Sequence, residues 1–182
     1  MMKYTKNSTM KLCMMGLSAA LICVIAPIPI LLPTGIPTTL QTFIITVTAI
    51  ILGAKPAFTA TLIYVLLGAF GLPVFSNFTG GWQSITGPTG GFILSFPIMA
   101  YVIGLASDIY TKRKWSLITG ITVGTTLNFA CGIIQFCVVT KSSLAVGFTT
   151  CVLPFIPLTI LKAFLAYLIG KKIKQRIRNL EL

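Results

Sequence analysis

The stretch "PLTILKAFLAYLIG" (157–170) reads as a membrane-crossing helix with a lysine inside it. Its leucine, isoleucine, phenylalanine and alanine content matches the apolar runs that cross a bilayer, and Lys162 interrupts the run. Outward from that segment, the whole chain follows the same grammar. Of its 182 residues 55% are hydrophobic and only 9% charged, with a mean hydropathy of +0.96. Soluble domains carry about a quarter charged residues. The composition therefore predicts an integral membrane protein in which residues 1–182 form a single membrane domain.

Hydropathy predicts an all-α bundle of six transmembrane helices, over approximately 11–32, 38–54, 56–72, 90–107, 115–138 and 152–170. The second and third spans are separated by "GAKPA" (53–57), a tight turn marked by Gly53 and Pro56. The N-terminal "MMKYTKNSTMKLCMMGLSAALICVIAPIPI" has a basic start and an apolar core, as a signal peptide does. It has no A-x-A cleavage pattern, and Ile22 precedes Cys23, so a retained first helix is expected. Within it, Gly16 and Ala20 have the small-xxx-small spacing that lets helices approach closely.

The formal net charge of +12 raises nucleic-acid binding as a possibility, which the positions of the charges exclude. They border apolar segments and form no basic stripe interleaved with aromatics. With the N-terminus cytoplasmic, that side collects Lys3, Lys6, Lys11, Lys55, Lys112, Arg113, Lys114, Lys171, Lys172, Lys174, Arg176 and Arg178. The outer side receives only Lys141. This positive-inside bias sets the orientation, and six spans then put both termini in the cytoplasm. The tail "KKIKQRIRNLEL" (171–182) belongs to the same bias.

Several chemistries are closed to this chain. Histidine is absent, and the only acids are Asp108 and Glu181. A hydrolytic dyad, a His–carboxylate metal site and a proton-relay carboxylate inside the membrane all lack their residues. Cys13, Cys23, Cys131, Cys137 and Cys151 are scattered through apolar runs without a CxxC pair, as small buried hydrophobes are. No G-x-x-x-x-G-K-[ST] phosphate loop occurs, so the chain cannot energise transport through ATP by itself. A lysine can form a Schiff base, but no other group assembles around Lys162 to make an enzyme. No metal or cofactor is expected.

Three features remain that can carry function. Lys162 is about ten residues into the expected sixth span, hence roughly 15 Å deep and near the midplane. A central lysine costs roughly 2.5–3.5 kcal/mol on insertion scales, and no carboxylate in a span offsets it. Either backbone carbonyls solvate it, or it faces a water-accessible cavity whose ligand brings an anionic or carbonyl oxygen. Thr159, three residues earlier, shares its helical face. The second feature is the outer segment "GLPVFSNFTGGWQSITGPTGG" (71–91), with six glycines among Phe75, Asn77, Phe78, Trp82, Gln83 and Thr89. A loop so long in a compact protein is either a mobile connector or a lid over a ligand. The third is "GIPTTLQTF" (35–43), whose Gln41 and Thr42 either cap the second span or line a cavity mouth.

At these stretches the chain resembles the BioY family, the biotin-binding S components of energy-coupling-factor (ECF) transporters. The resemblance is carried by "IPTTLQTF" (36–43), "LLGAFGLPVFS" (66–76), "GGWQSITGPTGGFILSFP" (80–97) and "LPFIPLTILKAFLA" (153–166), in order along the chain from Ile36 to Gly170. It implies a six-helix bundle in a prokaryotic cell membrane, with a vitamin pocket near the external surface. It also implies partners: a transmembrane coupling subunit, touching Gly16 and Ala20, and two ATP-binding-cassette (ABC) ATPases. The family's sixth-helix pattern is similar to P-G-D-[LI]-[LI]-K-A, where this chain has Pro157-Leu158-Thr159-Ile160-Leu161-Lys162-Ala163. The lysine is kept and the aspartate is Thr159. A threonine hydroxyl accepts a weaker hydrogen bond than a carboxylate. Asn77, in a segment where many members carry small residues, can supply an amide carbonyl instead. The expected site is thus Lys162 and Thr159 as floor, Asn77, Phe78, Trp82 and Thr89 in the closing segment, and Gln41 at the entrance. The expected ligand is biotin. The alternatives are another small carboxylate vitamin such as lipoate on the same architecture, or a biotin facilitator that works alone.

Overall fold

The computed structural model describes residues 3–31, 37–110 and 115–180. The basic run 112–114, the start of the third sequence feature at 35–36, and Glu181 lie outside them. The described chain is almost entirely helical: α1 (Lys3–Ile25), α2 (Gln41–Leu52), α3 (Ala54–Ala69), α4 (Trp82–Thr86), α5 (Gly90–Ile109), α6 (Ser116–Thr140), α7 (Leu144–Cys151) and α8 (Ile156–Leu180). One two-stranded antiparallel ribbon joins α1 to α2: β1 (Pro29–Leu31) pairs with β2 (Pro37–Thr39), with Pro29 opposite Thr39.

The boundaries depart from hydropathy where proline intervenes. The first helix ends at Ile25 and not near residue 32, because Pro27 and Pro29 cannot continue it, and the apolar "PIL" pairs as a strand. The last long helix starts at Ile156, with Pro157 in its first turn, and runs to Leu180, ten residues past the apolar window. Lysine, arginine and glutamine are good helix formers, so the tail stays helical without being apolar. The segment 71–91 is partly structured: a 3-10 turn covers Ser76–Phe78 and α4 follows it.

Length and composition single out three stretches long and apolar enough to cross a membrane: Gly90–Ile109, Ser116–Thr140 and the run Leu144–Ile177. Three shorter apolar helices accompany them, Thr9–Ile25, Gln41–Leu52 and Ala54–Ala69. At 1.5 Å per residue, α2 is about 18 Å and α3 about 24 Å long, short of a ~30 Å hydrocarbon core.

Small residues set the closest approaches. Gly120 and Gly124 of α6 lie against Ala106 and against Met99 and Ile103 of α5, so the most extensive helix pair is built on a G-x-x-x-G face. Gly104 of α5 meets the backbone of Gly53 and Ala54 in the same way. Ile22, Ile45, Ile50, Tyr64, Met99, Ile103 and Leu117 fill the centre of the bundle. Gly16 and Ala20, by contrast, sit exposed on α1.

A polar latch closes one end. Gly53 alone links α2 to α3, in the left-handed region at φ 80°. Asp108 of α5 accepts from the first amide of α3, Ala54 N–H, at 3.0 Å, and lies 3.8 Å from Lys174 Nζ. Lys174 also donates to Ser107 Oγ at 2.8 Å, and Ser107 Oγ donates to Ile50 O at 2.7 Å. Four helices meet through these bonds. Asp108→Ala should lower stability by about 1 kcal/mol, the ordinary cost of a lost helix-start acceptor, since the half-exposed ion pair adds little. Asp108→Asn, which keeps an acceptor oxygen, should lose less; thermal unfolding in detergent compares the two.

Candidate functional site

At the end opposite the latch, a cavity of about 530 Å³ opens between the ribbon, α2, α5, α6, α8 and the segment 75–89. That size suits a small ligand. Much of its wall is aromatic, from Phe75, Phe92, Phe96, Phe129, Phe136 and Phe155. A sparse polar set interrupts it, and no carboxylate among the described residues lines it.

The polar set is organised on Thr39, the last residue of β2. Its backbone carbonyl accepts from Lys162 Nζ at 3.1 Å, and its hydroxyl donates to Gln41 Oε1 at 2.7 Å. Gln41 Nε2 in turn donates to the Tyr64 hydroxyl at 2.7 Å, both groups being buried. The Tyr64 ring meets Phe75 edge-on with centroids 5.6 Å apart. Phe75 can lie there because residue 68 is glycine: a Cβ on Gly68 would collide with the ring. Lys162 itself is only 8% exposed. It stands six residues past the start of α8, about 9 Å along the axis.

Two further amides shape the wall from α6. Asn128 Nδ2 donates to Phe92 O at 2.9 Å and Ser95 Oγ at 2.7 Å, tying α6 to the first turn of α5. Gln135 Nε2 donates to Ile85 O at 2.6 Å and Gly87 O at 2.9 Å, which holds the end of α4. The segment 71–91 has two more ties: Gly81 N–H donates to Gly68 O at 2.7 Å, and Asn77 N–H to Pro27 O at 3.1 Å. Thr42 Oγ1 is buried on the cavity wall with no hydrogen-bond partner among the described residues.

Of the residues singled out in the sequence, Lys162, Thr159, Gln41, Thr42, Phe75, Gln83 and Thr89 come together on this wall. Asn77, Phe78 and Trp82 do not line it. Asn77 and Phe78 take left-handed backbone, φ 55° and 56°, in a turn that leaves both side chains exposed, and Trp82 is 68% exposed. Tyr64, Asn128, Gln135 and the phenylalanines other than Phe75 were not anticipated. Asn128 and Gln135 were detectable in principle, because two amides seven residues apart in an apolar run share a helix face. The phenylalanines carry no such mark, since in a hydropathy profile they look like any lipid-facing residue.

This architecture has known counterparts. The model of the BioY family matches residues 1–179. The chain is 40% identical over 164 residues to the biotin transporter BioY of Thermotoga maritima, covering 88% of this chain and 93% of that one. It is 38% identical to the biotin transporter BioY2 of Lactococcus lactis subsp. cremoris, covering 87% of each. Its fold is similar to the crystal structure of the S-component for biotin from an ECF-type ABC transporter, with a TM-score of 0.81 and 26% identity over 93% of both chains. A match over nearly the whole chain, with full-length relatives that are transporters, establishes that this multi-pass membrane protein belongs to the BioY family and is not an enzyme.

Proposed function

We propose that the chain is the substrate-capture subunit for biotin uptake, working with a transmembrane coupling subunit and two ABC-type ATPases in a prokaryotic plasma membrane. It crosses that membrane six times, as a single domain, with α1, α2, α3, α5, α6 and the α7–α8 run as spans and both termini cytoplasmic. The exposed small residues Gly16 and Ala20 on α1 face the coupling subunit. The cavity beside Lys162 then lies toward the outside, and the lysine-rich end lies in the cytoplasm.

The observation that carries this reading is the state of Lys162: a buried ammonium on the wall of an aromatic cavity, held by one backbone carbonyl and faced by no carboxylate among the described residues. An ammonium has three donors. One goes to Thr39 O, and the remaining two suit an acceptor-rich ligand. Biotin offers a carboxylate and a ureido carbonyl on a largely apolar frame, which the phenylalanines accommodate. Thr159, Gln41 and Thr89 complete the polar anchors. Asn77, Phe78 and Trp82 act in the segment that closes over the bound vitamin. Because Thr159 stands where the family has an aspartate, a small carboxylate vitamin such as lipoate is the second reading of the same cavity.

Equilibrium binding of biotin to the purified chain, with lipoate as competitor, separates the two. Saturable binding that lipoate leaves intact is expected; displacement by lipoate transfers the site to the second reading. Lys162→Gln should weaken biotin binding about 10- to 100-fold, the worth of a charge-assisted hydrogen bond of roughly 1.5–3 kcal/mol. Binding equal to the parent would remove Lys162 from the site. Tyr64→Phe leaves the buried Gln41 amide without its acceptor and should cost about 1–3 kcal/mol of stability, part of which the double variant with Gln41→Leu recovers. Vesicles containing this chain alone should bind labelled biotin without equilibrating it across the membrane; equilibration would identify a facilitator.

A further inference from the structure

The latch end holds a second, larger cavity, about 790 Å³, bounded by α1, α2, α3, α5, α6 and α8. Its composition is unlike that of the first. Lys11, Lys171 and Lys174 line it against a single acid, Asp108. That acid is already engaged, by Lys174 and by the first amide of α3, and it makes the only ion pair among the described residues. Lys171 is held over the rings of Tyr110 and Tyr167, at 5.8 and 5.6 Å from their centroids, and has no carboxylate partner among the described residues. Much of the remaining wall is apolar, formed by Met14, Ile51, Leu52, Leu117 and Ile177.

We propose that this cavity binds one anionic phospholipid, its phosphate held by Lys11 and Lys171 and an acyl chain along the apolar part of the wall. The charge argument selects a negative ligand: two lysines with no carboxylate partner among the described residues line one cavity. The apolar wall selects the lipid over a soluble phosphate, because a free anion gains nothing from Met14, Ile51 or Ile177. Bilayer geometry agrees, since basic pockets between helices on the cytoplasmic side suit acidic headgroups of the inner leaflet. Tyr110 and Gln175 stand beside the lysines and add polar groups at the headgroup level. The proposal extends beyond vitamin capture and involves none of the residues assigned to it.

Phosphatidylglycerol binding to the full chain in mixed micelles, read by native mass spectrometry with phosphatidylcholine as the uncharged reference, tests this independently of membrane orientation. The parent should retain phosphatidylglycerol in preference to phosphatidylcholine. Lys11→Gln and Lys171→Gln should each weaken that preference about fivefold, and the double variant roughly 25-fold, the worth of a lysine near an anionic surface. Lys172→Gln, exposed on the same helix and off the cavity, should leave it unchanged. Biotin binding at the far end reports that each variant is folded. Undiminished retention by the double variant, an equal loss from Lys172→Gln, equal retention of both lipids, or equal displacement by soluble glycerophosphate overturns the proposal.

Discussion

Burying one ammonium without a carboxylate is the constraint around which the rest is arranged. Placing a lysine in an apolar span is unfavourable by roughly 2.5–3.5 kcal/mol, and Lys162 recovers part of that through the Thr39 carbonyl. For that carbonyl to be available, residue 39 cannot sit inside a helix, where its oxygen would be taken four residues later. The ribbon meets this requirement. Pro29–Leu31 and Pro37–Thr39 are extended as paired strands, α2 begins only at Gln41, and Thr39 presents its backbone to α8. The Gln41–Tyr64–Phe75 chain then fixes the start of α2 against α3 and the outer segment.

The two ends of the bundle solve opposite problems with the same helices. Near Thr39, α2, α5 and α8 leave a cavity in which Thr39 is bonded to both Gln41 and Lys162. At the other end the same three helices are bonded directly, Ile50 to Ser107 to Lys174, and basic side chains line a cavity beside them. In α8 one lysine serves each end, twelve residues apart and about 18 Å along the axis. The close α5–α6 seam at Gly120 and Gly124 supplies a firm back wall between the two cavities.

Much of this was legible in the sequence because the membrane imposes simple rules. Apolar runs located the helices, and polar residues set among apolar ones drew notice to Lys162, Thr159 and Gln41. What failed to show was what hydropathy averages away. The proline-rich "PIPIL" counts as apolar whether it is helix or strand, so the ribbon was absorbed into the first span. The charged tail of α8 is helical without being apolar, so the apolar window ended ten residues before the helix does. Asn77, Phe78 and Trp82 were conspicuous by residue type, yet a left-handed turn leaves the first two exposed. Tyr64 went unnoticed because its role lies in a partner, Gln41, that is near in space and 23 residues away in sequence.

The separation of Thr39 and Lys162, 123 residues, also fixes when the site comes into being. A chain is made and inserted from its N-terminus, so the ribbon and the starts of α2 and α5 exist before the helix that carries the lysine. Until α8 arrives, the Thr39 carbonyl has no ammonium and the aromatic wall lacks Phe155 and its floor. A polypeptide that stops short of the last helix has the phenylalanines of α5 and α6 but neither Thr159 nor Lys162. The polar floor is therefore the last part of the pocket to be made, and a cavity that has it belongs to a bundle that is complete.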